Sequence, residues 1–272
     1  MNKMSQRLGA HSVLLLMSLF IIVPLMFIVN IAFKESREYV RDPIGLAQQF
    51  ELTNFIDAWE RANMQQLFLN SVIYTAIVCA CTVIIGILVA YPISRRHIRY
   101  HRMLYVVFTA GLFLPLSLVP TVFLMDYLQL MNTRIGYIML KTALSLPLAI
   151  VIFVGFIRSV PRDLDEAASV DGCGYFRFVF AILMPLMAPA IATVVTLSAI
   201  NTWNDFVNPF LYLSDPSKRP VTSGLYVFFG QYGNEWTLLS AAIIIIALPM
   251  IVMFIFLQRY IISGIASGAV KG

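Results

Sequence analysis

The chain has 272 residues, of which 60% are hydrophobic and only 12% charged, with a formal net charge of +5. A soluble domain carries roughly 25% charged residues, so a water-soluble enzyme or nucleic-acid-binding domain is a poor fit and the bilayer is the expected solvent. The three cysteines, Cys79, Cys81 and Cys173, have neither metal-ligand spacing nor the pattern of a disulfide framework, and read as small apolar fillers.

A transmembrane helix needs about 20 mostly apolar residues. Leu8–Phe33 is the first such run, with His11 as its one partial exception. Lys3 and Arg7 resemble the basic start of a signal peptide. The run is longer than a signal peptide's apolar region and no small-x-small site closes it, so a retained helix over 9–33 is expected. Residues 34–69 follow, with ten charges of both signs, and Asp57–Met64 can form a short amphipathic helix. Further apolar runs predict helices over 70–94, 103–125, 136–157, 183–207 and 237–259, the fourth run broken only by Lys141. The fold class expected is all-α: a polytopic membrane protein with six spans, in one domain over 1–272. Prolines scattered through these runs (Pro24, Pro92, Pro115, Pro120, Pro147, Pro189 and Pro249 among them) remove backbone donors that neighbouring helices help to replace. Kinks around a cavity and ordinary tolerance of proline in membranes explain them equally.

Lysine and arginine in short loops set orientation. "RRHIRYHR" puts Arg95, Arg96, Arg99 and Arg102 in eight residues with no acid, which reads as a topology signal rather than a nucleic-acid patch. With that loop cytoplasmic, both termini are cytoplasmic too. The inner set then holds eleven Lys/Arg and four acids, and the outer set eight and ten, so +7 and −2 sum to the stated +5. Trp59, Trp203 and Trp236 fall at the outer side, as interfacial aromatics do. The expected location is the cell (inner or plasma) membrane.

No phosphate loop of the G-x-x-x-x-G-K-[ST] type, no H-E-x-x-H and no G-x-S-x-G occurs, so no enzymatic role is expected and no cofactor or metal is assigned to this chain. Asp126, Asp205 and Glu235 lie near outer helix ends, leaving no evident coupling residue at mid-membrane for a secondary carrier. "AINTWNDFVNPF" gathers Asn201, Asn204, Asp205 and Asn208, the three asparagines on one face by i, i+3, i+7 spacing. Uncharged amides suit a hydroxylated substrate; interhelical hydrogen bonding is their commoner use.

The stretch 158–182, expected to be cytoplasmic, is polar over Arg158–Phe176. Pro161 can take a first helical position, Asp163, Asp165 and Glu166 suit the first turns, and Gly172 can end the helix in a left-handed conformation. A second short helix over Tyr175–Phe180 would complete an elbow. Ala167 and Ala168 allow close approach of another protein, and Asp171 adds charge beside Gly172. A solvated loop with some helix is the plainer alternative.

Glu166-Ala-Ala, three residues, Gly172, nine residues, then Ile182-x-x-Pro185 resembles the EAA signature of permease subunits from bacterial ABC importers, with Met184 where leucine is usual. "LNSVIYT", "AYPISR", "LMNTRIG", "WNDFVNPF" and the terminal "SGAVKG" extend the resemblance along the chain to MalG-type subunits of carbohydrate importers. The resemblance implies a heterodimer with a second homologous permease subunit, an ATP-binding cassette ATPase dimer carrying ATP and magnesium, and an extracellular or periplasmic substrate-binding protein delivering sugar. It implies ATPase coupling through Asp165, Glu166, Ala167, Ala168, Asp171, Gly172 and Pro185, and ATPase contact by Ala269, Val270, Lys271 and Gly272. Ser214–Trp236 corresponds to a loop that reaches toward the binding protein. An ion-coupled carrier or channel with a regulatory cytoplasmic loop is the competing class.

Overall fold

The computed structural model describes residues 3–114, 117–230 and 235–269, and the regular elements among them are helices. They are α1 (Lys3–Ala32), α2 (Ser36–Arg41), α3 (Thr53–Arg61), α4 (Met64–Arg95), α5 (His101–Gly111), α6 (Leu118–Tyr127), α7 (Arg134–Ser159), α8 (Asp163–Val170), α9 (Tyr175–Leu186), α10 (Ala188–Trp203), α11 (Val207–Tyr212) and α12 (Trp236–Ala269), with 3-10 turns at Pro216–Lys218 and Val221–Phe228. Within α9, Phe178–Leu183 is a π-helical turn, a form often found at functional sites.

Among the described residues, four helices are long and apolar enough to cross a membrane: His11–Ala32 of α1, α4, α7, and Trp236–Phe256 of α12. A fifth span exists if α9 and α10, bent by 84° to one another, are taken together. The expected count of six spans is not confirmed among the described residues. The run expected as one helix over 103–125 is divided: α5 ends at Gly111, and α6 starts afresh at Leu118. Pro115 falls between them in the sequence, and Pro120 lies in the first turn of α6, where its missing N–H goes unneeded. The fifth run also differs from 183–207. Helix begins at Tyr175, breaks at Met187, and stops at Trp203. Pro189 stands in the first turn of α10, a position proline tolerates well, so the chain restarts there in a new direction.

Backbone contacts group Met1–Gln65 with Gly224–Pro249, and Gln66–Ser223 with Met250–Gly272. In the first unit, residues 11–27 of α1 are largely apolar and stand exposed, Phe20 at 83%. Such a helix calls for an apolar surround. Its end is fastened locally. The Asn54 amide donates to the Ala32 and Lys34 carbonyls at 2.9 and 2.8 Å, and the buried Lys34 ammonium donates to the Asp42 carbonyl at 2.6 Å. Arg61 and Glu235 pair at 2.8 Å on the surface of this unit, where an ion pair contributes little. The short helix expected over Asp57–Met64 runs from Thr53 to Arg61 instead.

The second unit holds the core. Ile87, Ala90 and Ile93 of α4 meet Ile150, Phe153, Val154 and Ile157 of α7, together with Phe178, Val179 and Leu183 of α9 and Val194 of α10. Gly86 lets α4 approach α7 closely: a Cβ there would stand 3.0 Å from the ring of the fully buried Phe153.

Candidate functional site

The elbow is built as its sequence dictates. Acidic Asp163, Asp165 and Glu166 occupy the first turn of α8, where the helix dipole favours them. The helix begins at Asp163, so Pro161 precedes it rather than opening it. At the other end Gly172 has φ +68°. Its N–H donates to the Ser169 carbonyl at 3.1 Å, and the Cys173 N–H donates to Ala168 at 2.8 Å. This pair of bonds is a Schellman cap, and its left-handed residue is ordinarily glycine. The chain then turns into α9.

The faces of α8 separate the signature residues. Glu166, Ala167, Asp171 and Gly172 are exposed, with Val170 at 87%. Ala168 points inward and joins the core cluster, so of the two alanines only Ala167 is exposed. Asp165 also turns inward. Its carboxylate pairs with Arg95 of α4 at 2.7 Å and accepts the Tyr91 hydroxyl at 2.7 Å. Arg95, read from the sequence as one of four loop charges, is only 8% exposed. Its guanidinium also donates twice to the Val160 carbonyl, both at 3.1 Å. Pro185 is exposed on α9, two residues before the break at Met187.

A cleft of about 830 Å³ lies between α7 and α10. The α7 wall follows helical spacing through Lys141, Leu144, Ser145, Leu148 and Ile152. Val194, Leu197, Ser198 and Asn201 of α10 face it, and Asn204, Asp205 and Asn208 close one end. The four residues predicted from "NTWNDFVN" therefore do line one cavity, but not through one helical face. α10 ends at Trp203 and Asn208 belongs to α11.

What joins them is an interaction the sequence reading missed. Lys141 Nζ lies 3.0 Å from Asp205 Oδ2 and donates to Asn201 Oδ1 at 2.7 Å. Asp205 also accepts the Tyr137 hydroxyl at 2.9 Å and the Asn208 amide at 3.0 Å. Asp205, read from the sequence as lying near a helix end, is a buried hub between α7 and the α10–α11 turn. A single cation in an otherwise apolar span was the available signal.

The motif residues converge elsewhere too. Asn70 of "LNSVIYT" donates to the Ser217 and Arg219 carbonyls, Tyr74 donates to Lys218 at 2.6 Å, and Ser71 accepts from the Val221 N–H. Asn132 of "LMNTRIG" accepts from the Asp215 N–H at 3.0 Å, and Thr222 donates to the Asp205 carbonyl. Three separated motifs thus tie down one loop, 215–222. The Asp215 carboxyl is held below its ordinary range, first by the Ser217 hydroxyl. Ala269 is the last residue of α12; Val270, Lys271 and Gly272 lie outside the described residues. No group of three or more metal-ligating side chains occurs among the described residues.

A family model described as "Binding-protein-dependent transport system inner membrane component" matches residues 82–267. Melibiose/raffinose/stachyose import permease protein MelC of Bacillus subtilis is 36% identical over 80% of each chain. Diacetylchitobiose uptake system permease protein NgcG of Streptomyces coelicolor is 31% identical over 96% of this chain and 88% of its own. Trehalose/maltose transport system permease protein MalG of Thermococcus litoralis is 30% identical over 95% and 94%. A bacterial ABC transporter involved in the import of the acidic polysaccharide alginate contains a chain of the same fold, with TM-score 0.85 and 19% identity over 96% of this chain and 99% of that one. The matched region runs from α4 through the elbow and the cleft into α12, and on that evidence the chain belongs to the inner-membrane components of binding-protein-dependent transport systems, as a multi-pass, non-enzymatic permease subunit.

Proposed function

We propose that this chain is the permease subunit of an ATP-driven importer of a sugar or oligosaccharide. The family match over 82–267 carries the reading, and relatives named for melibiose, raffinose, diacetylchitobiose and trehalose support the sugar class. ATP and magnesium sit on a separate ATPase pair, a second homologous permease completes the pathway, and a binding protein delivers the sugar from outside. The termini and the Arg96–Arg102 loop face the cytoplasm, as the charge asymmetry argues.

The ATPase docks on the outward face of α8 and its flanks. Glu166 supplies charge, and Leu164, Ala167, Val170 and Phe176 supply exposed apolar surface. Exposed apolar groups rimmed by charge are the usual mark of a protein contact. Pro185 ends the segment that follows, and residues 269–272 reach the same partner. The 830 Å³ cleft, with amides at one end and aliphatic walls beyond, contributes one side of the sugar path. Binding-protein-dependent family membership argues against the ion-coupled carrier, and the buried Lys141 ammonium is already spent on Asp205 and Asn201.

Docking is tested by Glu166→Lys in the co-expressed complex. The expected result is loss of the ATPase from the purified complex while this chain still inserts in the membrane. Full retention of the ATPase would remove the elbow from the contact.

A further inference from the structure

The AYPISR motif ends α4, and the docking reading leaves it without a task. Its Tyr91 and Arg95 both engage Asp165, the residue immediately before the exposed Glu166. Arg95 is held in place from a second side by the Val160 carbonyl at the end of α7. Beyond the Gly172 turn, the Tyr175 hydroxyl donates to the Leu88 carbonyl at 2.8 Å. The elbow is thus attached to the last two turns of α4 on both of its arms. The side chains of the ion pair are 5% and 16% exposed, so water does not compete for them as it does for a surface pair.

We infer that the Arg95–Asp165 pair, braced by Tyr91, is the joint that passes displacement of the elbow to membrane helix α4. The residues are positioning residues: they act through α8 and touch neither sugar nor nucleotide. A rigid connection is what such a joint requires. An exposed loop would absorb the movement of an attached ATPase, whereas a forked guanidinium held by a carboxylate and a carbonyl resists both sliding and rotation. The division of labour within one helix follows. Glu166 faces outward to the partner, and its neighbour Asp165 faces inward to α4.

This inference rests on the docking reading above, and the test separates the two. The assembled complex is reconstituted with its binding protein and with whichever of raffinose, trehalose or diacetylchitobiose that protein retains. Arg95→Gln, Asp165→Asn and the double variant are compared for ATPase co-purification, for the ratio of stimulated to basal hydrolysis, and for ATP consumed per sugar moved. Each single variant is expected to keep the ATPase bound while the stimulation ratio falls by about fivefold or more, the lower end of ordinary coupling between sites. The double variant is expected to be no worse than the poorer single, as for residues acting as one unit. ATP consumed per sugar should rise, which a merely looser fold would not cause. A wild-type ratio in complexes that retain the ATPase overturns the joint, and so do two independent, multiplying losses. If Asp165→Asn prevents assembly, Tyr91→Phe decides: it removes one hydroxyl, should keep the complex intact and should lower the ratio, and an unchanged ratio overturns the proposal. Failure of docking would show instead as Glu166→Lys retaining the ATPase at wild-type levels.

Discussion

The Lys141 ammonium lies 3.0 Å from an Asp205 carboxylate oxygen, with side chains 3% and 5% exposed, two turns into α7. Removing one member of such a pair leaves an uncompensated buried charge and costs about 3–5 kcal/mol, whereas replacing both is far milder. Asp205→Asn is therefore expected to lower stability sharply. Lys141→Met combined with Asp205→Asn should recover most of the loss, because the asparagine oxygen can still accept the Tyr137 hydroxyl. Thermal unfolding of the purified chain in detergent checks this; a double variant as unstable as Asp205→Asn alone would mean that the charges are not the cause.

The asparagines of the cleft should behave differently from one another. Asn201 Oδ1 accepts from Lys141, so Asn201→Ala is expected to weaken folding as well as transport. Asn204 caps α10 and is exposed in the cleft wall, so Asn204→Ala is expected to alter uptake rate while leaving the unfolding midpoint within a degree or so, the usual range for a surface change of under about 0.5 kcal/mol. Unchanged uptake with Asn204→Ala would take that residue off the sugar path.

Gly172 carries the turn of the elbow at φ +68°. A β-branched residue there pays about 1–2 kcal/mol for a left-handed backbone, while asparagine tolerates the region. Gly172→Val is expected to impair ATPase co-purification and Gly172→Asn to retain most of it. Equal behaviour of the two would mean that the backbone angle does not matter. Nothing lies within 4 Å of an added Cβ at this position, so steric contact does not confuse the comparison.

Orientation is checked by labelling. After replacement of Cys79, Cys81 and Cys173, a cysteine at Arg99 should resist an impermeant thiol reagent in intact cells, and one at Val227, which is 56% exposed, should react. Reversed labelling would invert the orientation argued from loop charge.

Much of the elbow was legible because its signals are local. Acids in a first turn, a glycine six residues after the last of them and an aromatic restart are all read within one short stretch, and the structure returns them as α8, the cap and α9. The membrane helices were legible as apolar runs, but their interruptions were not. The division of 103–125 and the 84° bend at Met187 turn on which prolines begin a helix rather than kink one. Pairings across long separations were invisible for a different reason. Nothing near Lys141 names Asp205, and nothing near Arg95 names Asp165, because tertiary packing alone brings those positions together. Both cations looked like ordinary features, one a helix-end residue and the other a topology signal.

The central claim, that this chain serves an ATP-driven sugar importer, is tested most directly by uptake of radiolabelled raffinose, trehalose or diacetylchitobiose into proteoliposomes holding the assembled complex. Uptake is predicted for the sugar its binding protein retains, only with that protein present and ATP supplied on the ATPase side, and it should be unaffected by collapsing the proton gradient. Uptake that proceeds without ATP or without the binding protein and follows an ion gradient would contradict the account.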